Sequence, residues 1–82
     1  MTYEIEFKPK SIKDGRKIPK PELENIVDKI EMMKTDLRGD VKKLTNFTPE
    51  YRLRVGNYRV LFETESNKII VYRIIHRKDA YK

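Results

Sequence analysis

The residues able to do chemistry in this chain crowd into its last third. From Tyr51 the sequence reads Y-R-L-R-V-G-N-Y-R-V-L-F-E, and from Ile69 it reads I-I-V-Y-R-I-I-H-R-K-D-A-Y. Those two runs hold Arg52, Arg54, Arg59, Arg73 and Arg77, the single histidine His76, and Tyr81 four residues beyond Arg77. A guanidinium is always charged, and its planar fork matches phosphate oxygens in pairs. Arginine forks beside a tyrosine or histidine suit metal-free work on a phosphodiester. RNA supplies its own nucleophile, the 2′-hydroxyl. Its attack on the adjacent phosphorus forms one P–O bond and breaks the bond to the 5′-oxygen. The products are a 2′,3′-cyclic phosphate and a free 5′-hydroxyl. A protein site for this reaction must align the backbone, stabilise a crowded dianionic phosphorane and move two protons.

Other chemistries find no support. There is no cysteine among the 82 residues, so disulfides, thiolate zinc sites and cysteine nucleophiles are excluded. Neither G-x-x-x-x-G-K-[ST] nor G-x-G-x-x-G occurs. One histidine cannot build a His-based metal site, and the C-terminal half has few carboxylates for a two-metal nuclease. No metal and no cofactor are expected. No apolar run approaches the ~18 residues of a membrane span, so no membrane partner is expected. Glu4 and Glu6 do not suit a signal peptide, and a cytoplasmic location is expected.

Charge separates the two halves. Residues 1–40 hold nine Lys or Arg against nine Asp or Glu, whereas residues 41–82 hold ten against four. The whole net charge of +6 therefore belongs to the half that carries the arginines. Such a half suits a nucleic-acid partner.

A β-hairpin is the element that must position these arginines. Gly56-Asn57 suits a two-residue turn between two strands. Val55 then faces Tyr58, Arg54 faces Arg59, Leu53 faces Val60 and Arg52 faces Leu61. Directly opposed residues share a side of the sheet. Leu53, Val55, Tyr58, Val60 and Phe62 form an apolar face, and Arg52, Arg54 and Arg59 lie on the other. The strand from Ile69 to His76 is apolar on both faces, as a central strand would be. A two-residue loop before it would send Arg73 towards the core as an unpaired buried charge; a three-residue loop, the preferred register, would turn Ile70, Tyr72 and Ile74 inward and set Arg73 and Arg77 on the basic face.

Upstream, Tyr3, Ile5 and Phe7 alternate with polar residues, the period of a half-buried strand that Pro9 ends. Ser11 is placed to cap a short helix through Lys17, with Asp14 three residues on in a weak capping-box pattern. Pro21 opens a longer helix whose Leu23, Ile26, Val27, Ile30 and Met33 recur on one face. Residues 40–50 read as an irregular connection in which Lys42 and Lys43 are solvated. The expectation is one α+β domain over residues 1–82. It has the order β-α-α-β-β-β, an antiparallel four-stranded sheet with two N-terminal helices packed on one face and the arginines on the other.

The hairpin, the terminal H-R-K-x-x-Y segment, the upstream D-V-K-K-L and the long helix before it resemble the RelE/ParE superfamily of prokaryotic toxins. The resemblance covers nearly the whole chain. It implies a toxin held inactive by a cognate, RelB-like antitoxin. The RelE branch cleaves messenger RNA in the ribosomal A site without metal, so the ribosome with its messenger and ribosomal RNA would be the target. The ParE branch inhibits DNA gyrase instead. Carried onto this sequence, Arg52 and Arg54 would hold the RNA backbone, Arg59 would contact the scissile phosphate and Arg77 would stabilise the transition state. Tyr81 would help to activate the 2′-hydroxyl, and Arg73 and Lys78 would extend the nucleic-acid-binding set. The best-known RelE pattern has lysines where Arg52 and Arg54 stand, and a guanidinium hardly gives up a proton. It also has a longer gap before its tyrosine. The reading taken from the sequence is a ribosome-dependent endoribonuclease. The alternatives are a gyrase inhibitor without nuclease activity and a basic RNA-binding module.

Overall fold

A computed structural model describes residues 2–80, so Tyr81 lies outside the described residues. In chain order the elements are β1 (Glu4–Phe7), α1 (Pro9–Arg16), α2 (Lys20–Met32), β2 (Val41–Lys43), β3 (Tyr51–Val55), β4 (Tyr58–Glu65) and β5 (Lys68–His76). They build one five-stranded sheet in the order β1-β5-β4-β3-β2. Two expectations are corrected. The sheet has five strands rather than four, because Val41–Lys43 pairs with Leu53, Arg52 and Tyr51 of β3 where an irregular connection was expected. It is mixed rather than antiparallel, because β1 runs parallel to β5. A three-residue strand is too short to show alternation. Strand direction leaves no mark on periodicity at all.

The hairpin forms in the expected register, with Val55 opposite Tyr58, Arg54 opposite Arg59 and Leu53 opposite Val60. Gly56 takes the left-handed conformation at φ 57°. A Cβ there would meet nothing within 4 Å, so glycine is favoured by backbone conformation and not by space.

Strand β5 departs from expectation in an instructive way. The loop before it is tight, with Glu65 already paired to Lys68. Ile69 and Val71 therefore join the main core cluster, whereas Ile70, though buried, and Tyr72 do not. Continued alternation would then drive Arg73 among the apolar side chains. A β-bulge prevents this: Phe62 pairs with Val71 and Leu61 with Arg73, so Tyr72 is the extra residue. Past it the parity is reversed, Ile74 points into the core and Arg73 returns to the arginine side.

The core lies between α2 and the sheet. Ile26, Ile30 and Met33 pack with Leu53, Val55, Val60, Phe62, Ile69, Val71 and Ile74. Burying each such side chain contributes about 1.5–3 kcal/mol. Tyr51 stacks on Phe62 with ring centroids 5.4 Å apart.

The first helix differs from its expected form. Pro9 begins it instead of merely ending β1, which suits a residue without an N–H at the first helical position. Ser11 is buried and donates its hydroxyl to the Lys8 carbonyl at 2.7 Å, so it is no cap. Nor is Asp14 half of a capping box. It reaches β5 where β1 has stopped, accepting the Ile74 backbone N–H at 3.0 Å and both forks of Arg73 at 2.7 and 3.0 Å. One carboxylate thus closes the sheet edge that β1 leaves open.

Phe7, Ile12 and Val27 remain exposed, and with Leu23 they line an apolar groove of about 320 Å³ between the two helices. No helix among the described residues is long and apolar enough to cross a membrane.

Candidate functional site

The face of the sheet away from α2 is a grid set by the strand register. One row across it runs Lys42, Arg52, Leu61, Arg73, and the next runs Arg54, Arg59, Ile75. The expected basic face is therefore real as an arrangement of Cα positions. Like charges directly opposed across strands repel, so the Arg54–Arg59 pair needs something to hold it.

Each of the two has its own answer. Arg54 donates from Nε to Oδ2 of Asp40 at 2.5 Å. Arg52 donates from Nη1 to Oδ1 of the same carboxylate at 3.1 Å and to the Asp40 backbone carbonyl at 2.8 Å. Asp40 sits beside β3 because its carbonyl also accepts the Arg54 backbone N–H at 3.0 Å. The Arg52 hydrogen bond, joined by the one from Arg54, holds the Asp40 carboxyl below its ordinary value of 3.8. Arg59 enters no ion pair among the described residues. Its Nη1 donates to the carbonyls of Gly56 at 3.0 Å and Tyr58 at 2.9 Å, folding the guanidinium back over the hairpin tip.

Arg77 is brought to that same tip by its backbone. Its N–H donates to the Asn57 carbonyl at 2.7 Å, and its side chain is exposed. The chain then turns, with the Asp79 N–H on the His76 carbonyl at 2.8 Å and Ala80 buried. Arg59 and Arg77, eighteen positions apart in sequence, are thus tied to neighbouring carbonyls of one turn. The ion pairs among the described residues take Arg52, Arg54 and Arg73 but neither Arg59 nor Arg77.

Arg73 belongs to the face by register, yet its guanidinium is drawn over the sheet edge to Asp14. The Asp14 hydrogen bond strengthens the protonated form of Arg73 further. Lys78 is exposed just past Arg77, its backbone N–H on His76 Nδ1 at 3.2 Å.

His76 lies elsewhere. It is opposite Tyr58 in the row that includes Val55, on the side of α2. The two rings meet edge to face at 5.5 Å. Burial pushes the Tyr58 hydroxyl above its ordinary 10.0, and Glu22 pushes it the same way. Neither side chain lies on the face of Arg52, Arg54 and Arg59, although both line a cavity with Arg73 and Asp14. Among the described residues no group of His, Asp and Glu could hold a metal ion.

Sequence reasoning missed Asp14 and Asp40, the two carboxylates that fix three of the five arginines. Both precede their partners by many residues, and only the sheet register brings them together. The one available signal was arithmetic: acidic residues near the basic face are few, and each is worth asking where it goes.

The fold and the site can be set beside known proteins. The family described as ParE toxin of type II toxin–antitoxin system, parDE, matches residues 5–81. Toxin RelE3 of Methanocaldococcus jannaschii is 46% identical over 46 residues, a stretch covering 56% of this chain and 52% of that protein. The match therefore spans about half the length of that relative. Putative toxin RelE1 of the same organism is 30% identical over 88 aligned residues, covering 100% of this chain and 98% of that one. A chain in the crystal structure of the RelB–RelE antitoxin–toxin complex from Methanococcus jannaschii shares the fold. Its TM-score is 0.76, with 33% identity over 92% of this chain and 93% of that chain. By the extent of the family match and of the full-length relative, this chain belongs to the RelE/ParE superfamily of type II toxin–antitoxin toxins.

Proposed function

We propose that this toxin is a ribosome-dependent, metal-independent endoribonuclease that acts in the cytoplasm and cleaves messenger RNA in the A site. One observation carries the reading. Arg59 and Arg77 converge on the hairpin tip without carboxylate partners among the described ion pairs, on a face that Arg52 and Arg54 extend. The Arg59 guanidinium over that tip, with Arg77 attached to the same turn by its backbone, suits the non-bridging oxygens of a phosphorane, whose charge grows as the 2′-oxygen attacks. Arg52, Arg54 and Lys78 hold the flanking backbone, with Arg73 anchored at the margin. Tyr81 takes the 2′-hydroxyl proton as the new P–O bond forms, and the departing 5′-oxygen takes a proton from solvent. An unperturbed tyrosine ionises at ~10, and guanidiniums close to a phenol favour the phenolate. His76 is not assigned this step, because it faces α2.

The toxin's partner is a RelB-like antitoxin, as in the complexes formed by its structural relatives. The apolar groove of Phe7, Ile12, Leu23 and Val27 is also lined by Arg16, and α1 carries Lys10 and Lys13 as well. An acidic, amphipathic segment fits that surroundings.

The test is in vitro translation with primer-extension mapping of the messenger. Breaks within translated codons that vanish without ribosomes support the reading. Intact transcripts together with gyrase-dependent DNA breaks would establish the ParE-like alternative, which the description of the matching family favours.

A further inference from the structure

Asp40 has no place in the mechanism above, and its geometry is unusual. Its two carboxylate oxygens each take a different arginine, Oδ1 from Arg52 at 3.1 Å and Oδ2 from Arg54 at 2.5 Å. The two non-bridging oxygens of a phosphodiester would bridge two guanidiniums in the same way. The pair is open to solvent, with Asp40 43% and Arg54 55% exposed, so a ligand can reach it. Arg52 is different. Only 14% of its side chain is exposed, and its Nη1 also donates to the Asp40 backbone carbonyl at 2.8 Å. That second bond does not depend on the carboxylate and keeps Arg52 aimed if the carboxylate swings away.

We infer that Asp40 occupies the position of a backbone phosphate between Arg52 and Arg54, and that nucleic acid displaces it on binding. This rests on the reading of the arginine face as the nucleic-acid interface. Asp40 is then a specificity-determining residue. Any polyanion must replace it before it gains both arginines, which lowers affinity for RNA met free in solution. RNA presented on a ribosome brings further contacts that offset the exchange. An exposed ion pair is a modest competitor, which suits a brake that must release.

The experiment measures binding of a short single-stranded RNA of mixed sequence across a salt series, by fluorescence anisotropy. It uses the full chain and the variants Asp40→Asn, Arg52→Ala and Arg54→Ala. Asp40→Asn keeps the side-chain shape and the backbone carbonyl, and thermal melting checks its fold. The expected result is binding roughly two- to fivefold tighter, the scale of an exposed ion pair. The slope of log K against log salt should match the parent's, since the same phosphate meets both arginines in either complex. Unchanged or weaker binding, or a steeper slope showing a phosphate contact that the parent lacks, would overturn the inference and leave Asp40 as a brace for the two arginines. The arginine variants separate this from failure of the underlying reading. If Arg52→Ala and Arg54→Ala bind RNA as the parent does, the face is not the interface. If they weaken binding while Asp40→Asn does not strengthen it, only the role of Asp40 falls.

Discussion

The hairpin tip and the flank of the same sheet hold the same residue type under opposite conditions. On the flank, Arg52 and Arg54 share Asp40, and Arg73 is gripped by Asp14. At the tip, the partners of Arg59 among the described residues are carbonyl oxygens, and Arg77 contributes a backbone bond while it stays exposed. A carbonyl orients a guanidinium without neutralising it. A carboxylate does both. Arginine density alone therefore misjudges the face. The arginines without a carboxylate among the described ion pairs are those attached to the tip, Arg59 and Arg77.

The sharpest way to break that contrast is to remove the tip. Arg59→Ala and Arg77→Ala should each lower single-turnover cleavage by roughly 10²–10³-fold, the scale of losing a preorganised donor to an oxyanion. Melting temperature should barely change, since neither side chain enters a described ion pair. Tyr81→Phe should also lower cleavage, by ~10²–10⁴-fold, with ribosome binding retained. If Arg59→Ala unfolds the domain while cleavage per folded molecule is unchanged, the tip is structural.

Arg73→Ala should show the reverse behaviour. It leaves the Asp14 carboxylate, 11% exposed, without its bidentate partner. Denaturant unfolding should register a loss of roughly 1–3 kcal/mol, while cleavage per folded molecule stays near the parent value. A larger loss of activity than of stability would move Arg73 to the tip's side of the comparison.

Arg52→Ala and Arg54→Ala should fall between these cases. Each should weaken ribosome binding and make it less sensitive to salt, the signature of one lost phosphate contact. Cleavage at saturating ribosomes should change little.

The smallest effect concerns pH. Asp40 has its carboxyl lowered below 3.8 in the fold by the Arg52 hydrogen bond, with Arg54 acting the same way. A lowered carboxyl contributes stability above its unfolded value and loses it as pH falls through the folded one. Between neutral pH and about pH 3, Asp40→Asn should therefore lose slightly less stability than the parent, read as the shift in denaturant midpoint. An identical pH profile would mean that the carboxylate contributes nothing to folding.

Much of this arrangement could be read from residue order. Gly56-Asn57 fixed the pairing of the hairpin, and the spacing of Ile26, Ile30 and Met33 fixed the buried face of α2, because both depend on neighbours within a few residues. What escaped depends on distant partners. Val41–Lys43 is a strand only because β3 lies beside it. Arg73 and Asp14 are 59 residues apart, and nothing local marks either as the other's partner. The I-I-V-Y-R-I-I run offered two registers, and the one adopted contains a bulge that alternation cannot show. The hairpin register placed Arg59 opposite Arg54, as the residue order indicated. The carboxylates that divide the arginines into two classes were not so indicated.

The bulge at Tyr72 has a consequence of a different kind, because it makes the aim of the C-terminal segment a matter of chain length. A bulged strand bends. Arg73 to His76 stay paired with β4 past the bulge, and the direction in which they carry Arg77 to the hairpin tip depends on one surplus residue. Replacing Tyr72 with phenylalanine keeps the count and should keep cleavage. Deleting it would restore plain alternation, with Val71 and Ile74 still inward and Arg73 still outward. That shortened protein should fold, yet the straightened strand would deliver Arg77 away from the Asn57 carbonyl. A folded but inactive deletion beside an active point substitution would show that the site is aimed by counting residues.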